Sequence, residues 1–268
     1  MKILHYWRAI WGIIWRECWR FVTQRERFVS ALVRPLVWLF IFAAGFRSAL
    51  GLAISPPYET YILYEAYIVP GLCSMIQLFN GMQSSLSMVY DREMGSMRIL
   101  LTCPLPRWFL LLSKLLAGTA VSILQVYVFL GIAWCYDIRP PAQGYGWILP
   151  ALVLSGLMLG ALGLLLSSFI KQLENFAGVM NFVIFPMFFM STALYPLWKI
   201  KESSALLHRL AQYNPFSQAA ELIRFALYGQ FNQHAFVYTL VAFIVFMTLA
   251  IFGYNPSKGM MIRKGGAG

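Results

Sequence analysis

Apolar residues gather along the chain into six long runs, at roughly 30–54, 66–90, 109–136, 147–170, 176–198 and 235–254, separated by shorter polar stretches. A helix rises about 1.5 Å per residue, so about 20 mostly apolar residues carry it across a hydrocarbon core about 30 Å thick. Each run meets that length, and the pattern predicts six transmembrane helices. Ahead of the first run, Trp7, Ile10, Trp11, Ile14, Cys18, Phe21 and Val22 recur at helical spacing, while Arg8, Arg16, Arg20 and Arg27 fall largely on other faces. This predicts an amphipathic helix over 1–28 lying in a membrane interface, with tryptophans at headgroup depth and arginines toward anionic lipid. A soluble helix capping a partner is the alternative. Between the fifth and sixth runs, 199–234 holds two amphipathic pieces, one with Leu206, Leu207 and Leu210, the other with Leu222, Phe225 and Ala226. They are broken at Asn214-Pro215, where the proline ring and its missing N–H stop a helix. Neither piece is long or apolar enough to span, so both are expected as re-entrant or surface helices packed against protein. The expected fold is an all-α integral membrane protein, with 29–268 forming one six-span domain after the interfacial helix.

Composition agrees. Of 268 residues 60% are hydrophobic and 12% charged, with a mean hydropathy of +0.66, against about 25% charged in an ordinary soluble domain. The net charge of +11 is explained by cytoplasmic loops rich in lysine and arginine, and nucleic acid is not an expected partner. With the N-terminus inside, the outside connections hold only Arg47, Arg139, Lys199, Lys201, Arg209 and Arg224 of the 21 basic residues. Both termini are therefore expected in the cytoplasm. Arginines threaded through the first apolar stretch, with no small-residue cleavage site after it, argue against a removable signal peptide. Cys18, Cys73, Cys103 and Cys135 are widely spaced and read as small hydrophobes.

Enzyme signatures are missing. His5, His208 and His234 lie outside the apolar runs without i+3 or i+4 pairing, and there is no GxSxG elbow and no acidic cluster for magnesium. No GxxxxGK[ST] loop occurs, so ATP-driven work requires a second polypeptide. Inside the second run, Ser74, Gln77, Asn80, Ser84 and Ser87 fall on one helical face. That face either lines a translocation path or serves as hydrogen-bonding glue between helices. Gly156, Gly160 and Gly163 in the fourth run allow close approach of another helix, chiefly within the chain. Arg47 and Glu174, near run ends, either snorkel to the interface or face water. The stretch "DREMGSMRILLTCPLP" at 91–106 is cytoplasmic on this topology; Met97–Leu101 is long enough for one or two helical turns, ended by Pro104 and Pro106. A tight polar loop is the plainer reading; a short helix parallel to the membrane would act as a peg that takes force from a soluble motor.

The segment "DREMGSMRILLTCPLPRWFLLLSKLLAG" (91–118) resembles the cytoplasmic coupling segment of type-2 (ABC-2) ATP-binding cassette exporter permeases. "FFMSTALYPLWKIKESSALLHRLAQYNPFSQAAELIRFALYGQ" (188–230) is similar to the family's outer landmark, here Tyr195-Pro196, Asn214-Pro215 and Arg224; Gln218 departs from the family's usual residues. With six spans and an amphipathic N-terminal helix, the resemblance covers essentially the whole chain. It implies a non-enzymatic permease that binds no cofactor itself. Two copies, paired in the bacterial inner membrane and in contact with lipid, would each sit on a cytoplasmic ABC ATPase subunit that holds the ATP and magnesium. Asp91, Arg92, Glu93, Gly95, Arg98, Leu100 and Leu101 would form the coupling helix. Competing readings are an ATP-independent channel or scaffold, an importer of the same architecture, and a lipid-modifying membrane enzyme whose acid, histidine or metal cluster is missing.

Overall fold

The computed structural model describes residues 3–23, 32–41, 56–58, 62–93, 106–170 and 172–254. These residues form helices joined by turns, with no strand among them. The helices are α1 (Ile3–Thr23), α2 (Leu32–Ile41), α3 (Tyr64–Glu93), α4 (Arg107–Cys135), α5 (Gly144–Phe169), α6 (Leu173–Phe189), α7 (Leu197–Ser203), α8 (Ala205–Tyr213), α9 (Pro215–Leu227) and α10 (Gln233–Gly253).

Among the described residues, three helices are long and apolar enough to cross a membrane: α4 from Trp108, α5 and α10. They and α3 lie within about three residues of the expected runs, the usual scatter of helix ends. α3 matches in length, with 30 residues, but its polar face keeps it from being uniformly apolar. Of the first expected run, α2 is the described part. The fifth is shorter than expected: α6 has 17 residues and ends at Phe189, where the apolar run continues to 198. The chain turns there at Ser191 and Thr192, and the carbonyls of Met187, Met190, Thr192 and Leu194 accept from Asn214, Arg224, Tyr67 and Tyr64.

α5 sits at the centre, packed against α3, α4, α9 and α10. Its crossing with α3 is set by glycine: a methyl group on Gly81 would lie 2.8 Å from the Gly160 Cα. Gly163 closes on the Gly81 carbonyl and Gly156 on Thr119 of α4, so these three glycines serve packing within the chain. α10 is the contrasting outer helix. It turns Ala235, Thr239, Met247 and Ala250 inward and leaves Val241, Ile244 and Phe252 exposed, as a helix that faces lipid on one side requires.

α1 packs along α4 with Ile10, Ile13, Ile14 and Cys18 half-buried. Trp11, Trp15 and Trp19 form an exposed ridge instead of sharing the packed stripe, and the rings of Trp15 and Trp19 stack at 6.4 Å. The two amphipathic pieces after α6 separate in fate. α8 keeps Leu206, Leu207 and Leu210 exposed, whereas α9 inserts among α3, α5, α6 and α10 and buries nearly its whole length.

Candidate functional site

α9 starts where its sequence dictates. Asn214 is the N-cap, its Oδ1 accepting from the Phe216 N–H at 3.0 Å, and Pro215 takes the first helical position, where a missing N–H costs nothing. The Asn214 amide also donates to the Met187 and Met190 carbonyls, at 2.7 and 2.9 Å, and so ties down the last turn of α6. Pro196, after the half-buried Tyr195, is the N-cap of α7.

Two turns into α9, Arg224 is only 1% exposed. It pairs with Glu221 one turn earlier and donates from Nη2 to the Thr192 carbonyl at 2.7 Å. Its guanidinium lies over the Tyr67 ring of α3, 4.1 Å from the centroid, a cation–π arrangement. The Tyr67 hydroxyl donates to the same Thr192 carbonyl, and that of Tyr64 to the Leu194 carbonyl, each at 2.9 Å. The Thr192 N–H returns to Ser217 Oγ at 3.2 Å. The Arg224 Nε and the nearby Tyr58 hydroxyl are buried without a hydrogen-bond partner. Burial pushes the Tyr58 phenol well up, so it is neutral at any physiological pH. Arg224, counted from sequence among loop cations, is thus an interior charge, held by an anion, a carbonyl and an aromatic face. Its signal was Glu221 at i−3 on a helix. Nothing local in the sequence pointed to Thr192 or Tyr67. The structure gathers Tyr195, Pro196, Asn214, Pro215 and Arg224 around a single turn.

The polar face of α3 divides along its length. Ser74 donates to its own helix at the Pro70 carbonyl. Gln77 reaches α5, donating to the Leu152 carbonyl at 2.7 Å and accepting from Ser155 Oγ at 2.6 Å. Asn80 pairs with Gln125 of α4. Ser84 lines a cavity of about 10 Å³, room for about one water, together with Ser85, Lys114, Thr119 and Ser122. Ser87 is exposed and donates to the Ser84 carbonyl.

At the far end of α3, Asp91 and Arg92 fall in the last turn. Glu93 is exposed, and its carboxylate accepts from the Leu173 N–H, 3.2 Å away, at the start of α6. A carboxylate suits a helix N-terminus, where backbone N–H groups lack partners. Glu174 sits exposed in the same first turn. Gly95, Arg98, Leu100, Leu101, Arg47 and Cys103 lie outside the described residues.

Comparison with known proteins gives a consistent picture. A family model described as "ABC-2 type transporter" matches residues 8–228. A putative transport permease, ycf38, of Porphyra purpurea is 27% identical over 215 residues, covering 78% of this chain and 69% of the relative. A probable multidrug ABC transporter permease, YbhR, of Escherichia coli K12 is 29% identical over 170 residues, 62% of this chain and 45% of the relative. Nodulation protein J of Rhizobium leguminosarum is 20% identical over 231 residues, 82% and 84% of the two chains.

Proposed function

The chain belongs to the ABC-2 type transporter family as a multi-pass membrane permease, and from that premise we propose that it is the membrane subunit of an ABC exporter. It moves its substrate outward across the bacterial inner membrane, using ATP hydrolysed by a cytoplasmic ATPase. The observation that carries this is a family match running over residues 8–228 in a chain with no GxxxxGK[ST] loop. Six spans are formed by the α2 region, α3, α4, α5, α6 and α10, with both termini in the cytoplasm, and the asymmetry of basic residues supports that orientation. Two copies pair, each on an ATPase subunit that binds the ATP and magnesium. The segment around Asp91–Leu101 docks on that subunit. Coupling then requires the ATP-bound ATPase to favour one permease conformation over the other. The Ser74, Gln77, Asn80, Ser84 and Ser87 face is the candidate path, reached when α3 moves off α4 and α5.

The test is to co-express the chain with candidate ABC ATPases and purify through a tag on this chain alone. The expected result is a stoichiometric ATPase, lost when Leu100 and Leu101 are both changed to Asp. A stable protein that never retains an ATPase would transfer the assignment to a channel or scaffold. Accumulation of substrate inside inverted vesicles on ATP addition is expected for export; ATP-driven release from preloaded vesicles would indicate import.

A further inference from the structure

We infer that Arg224 is a positioning residue that fastens α9 to the Tyr64 end of α3, so that α9 travels with α3 when the Glu93 end of α3 is displaced. The meaning of this for transport rests on the permease reading above; the attachment itself does not.

The argument starts from what kinds of contact hold α9. α9 buries Phe216, Leu222, Ile223 and Leu227, with the Phe216 ring 5.9 Å from that of Phe188 in α6. Its last turn also lies close against α5, where a methyl on Gly144 would run into the Leu227 carbonyl; apolar contact along the rest of the helix is non-directional. Against α3 and the turn after α6, the contacts are directional. Arg224 stands over Tyr67, and both donate to the Thr192 carbonyl, which spends its two lone pairs on one group from each helix. Tyr64 takes the Leu194 carbonyl two residues on, and the Thr192 N–H takes Ser217 of α9. A methyl on Gly71 would lie 2.4 Å from the Ala193 carbonyl, so the turn lies flat on α3 and has no space in which to shift. The turn is thus stapled to both helices at once. α3 runs 30 residues, about 45 Å at 1.5 Å per residue, with Pro70 inside it just past Tyr67.

A buried ion pair is a poor device for stability, because desolvation offsets most of the attraction, and an apolar pair of similar volume often does as well. Glu221 balances the charge from within α9, and Arg224 does something an apolar residue does not: its contacts with the Tyr67 ring and the Thr192 carbonyl set a single register of α9 against α3 and the turn. The Arg224 Nε left without a partner fits a group placed for geometry, not for full satisfaction of its donors.

The test separates clasp from fold. Arg224→Ala strands Glu221 and risks misfolding, so the working variant replaces the pair together, Arg224→Met with Glu221→Leu. A second variant, Tyr67→Phe, removes only the hydroxyl and keeps the ring. Hydrogen exchange is followed by mass spectrometry, first on the permease alone in lipid nanodiscs. In the wild type, residues 64–71 and 215–227 are expected to exchange at matched rates; in the double variant 215–227 exchanges about tenfold faster while 64–71 and 233–253 keep their rates. Unmatched rates already in the wild type would overturn the proposal, whether or not any ATPase binds. The second arm adds the ATPase with and without ATP and vanadate. Nucleotide is expected to change exchange at both 80–93 and 215–227 in the wild type, and at 80–93 alone in either variant. A change at 215–227 that survives in both variants would sink the idea, since α9 would then follow another helix. An ATPase that fails to associate defeats the permease reading instead, and leaves the first arm to decide the clasp.

Discussion

The two ends of the α3–α6 pair are built on opposite principles. At the Tyr64 end, three helices and a turn are laced by buried polar bonds: Asn214 to two carbonyls of α6, Tyr64 and Tyr67 to the turn, Arg224 across α9, the turn and an aromatic face. At the Glu93 end, an exposed carboxylate meets one exposed backbone N–H. A directional bond with no water to compete is worth more, and constrains more, than one exchanging with solvent. Among the described residues, the buried directional bonds of this helix pair are thus concentrated at the Tyr64 end.

This contrast can be broken most forcefully at Arg224. Arg224→Ala leaves Glu221 without its cation in a largely dry site, and a loss of roughly 3–5 kcal/mol is expected, read as a large drop in the SDS fraction needed for half-unfolding in detergent. Asn214→Ala, which removes the α9 cap and both bonds to α6, should cost about 1–2 kcal/mol in the same titration. If Asn214→Ala proved as damaging as Arg224→Ala, the charge would not be the centre of the lacing. At the other end Glu93→Ala should leave the unfolding midpoint where it was, while ATP turnover of the complex with its ATPase falls. A midpoint shift as large as that of Asn214→Ala would erase the difference between the two ends.

Apolar run length carried most of the architecture. It placed α4, α5 and α10, because a long apolar helix is dictated by local composition, and it located α3 as a long helix. It failed at Phe189, where the expected run was carried on to 198 across Ser191, Thr192 and Pro196, and where carbonyls past the helix end accept from side chains of α3 and α9. Asn214-Pro215 reads as a break between two pieces, and the structure has that break, with Asn214 also capping α9. These two residues did not tell α8 from α9, whose similar amphipathic patterns end on the surface and in the interior respectively. The family resemblance named Tyr195, Pro196, Asn214, Pro215 and Arg224, and their geometry was not legible. Arg224 meets Thr192 across 32 positions and Glu93 meets Leu173 across 80, distances over which a single sequence carries no periodicity.

The polar face of α3 has a consequence for how the chain is made. Gln77 finds its partners in Leu152 and Ser155, 75 and 78 residues downstream, and Asn80 finds Gln125, 45 residues downstream. A ribosome delivers α3 long before any of these exist, and an amide facing hydrocarbon without a partner is held there only at a cost. The polar face of α3 thus has its partners only after α4 and α5 arrive, so α3 is made well before it can settle.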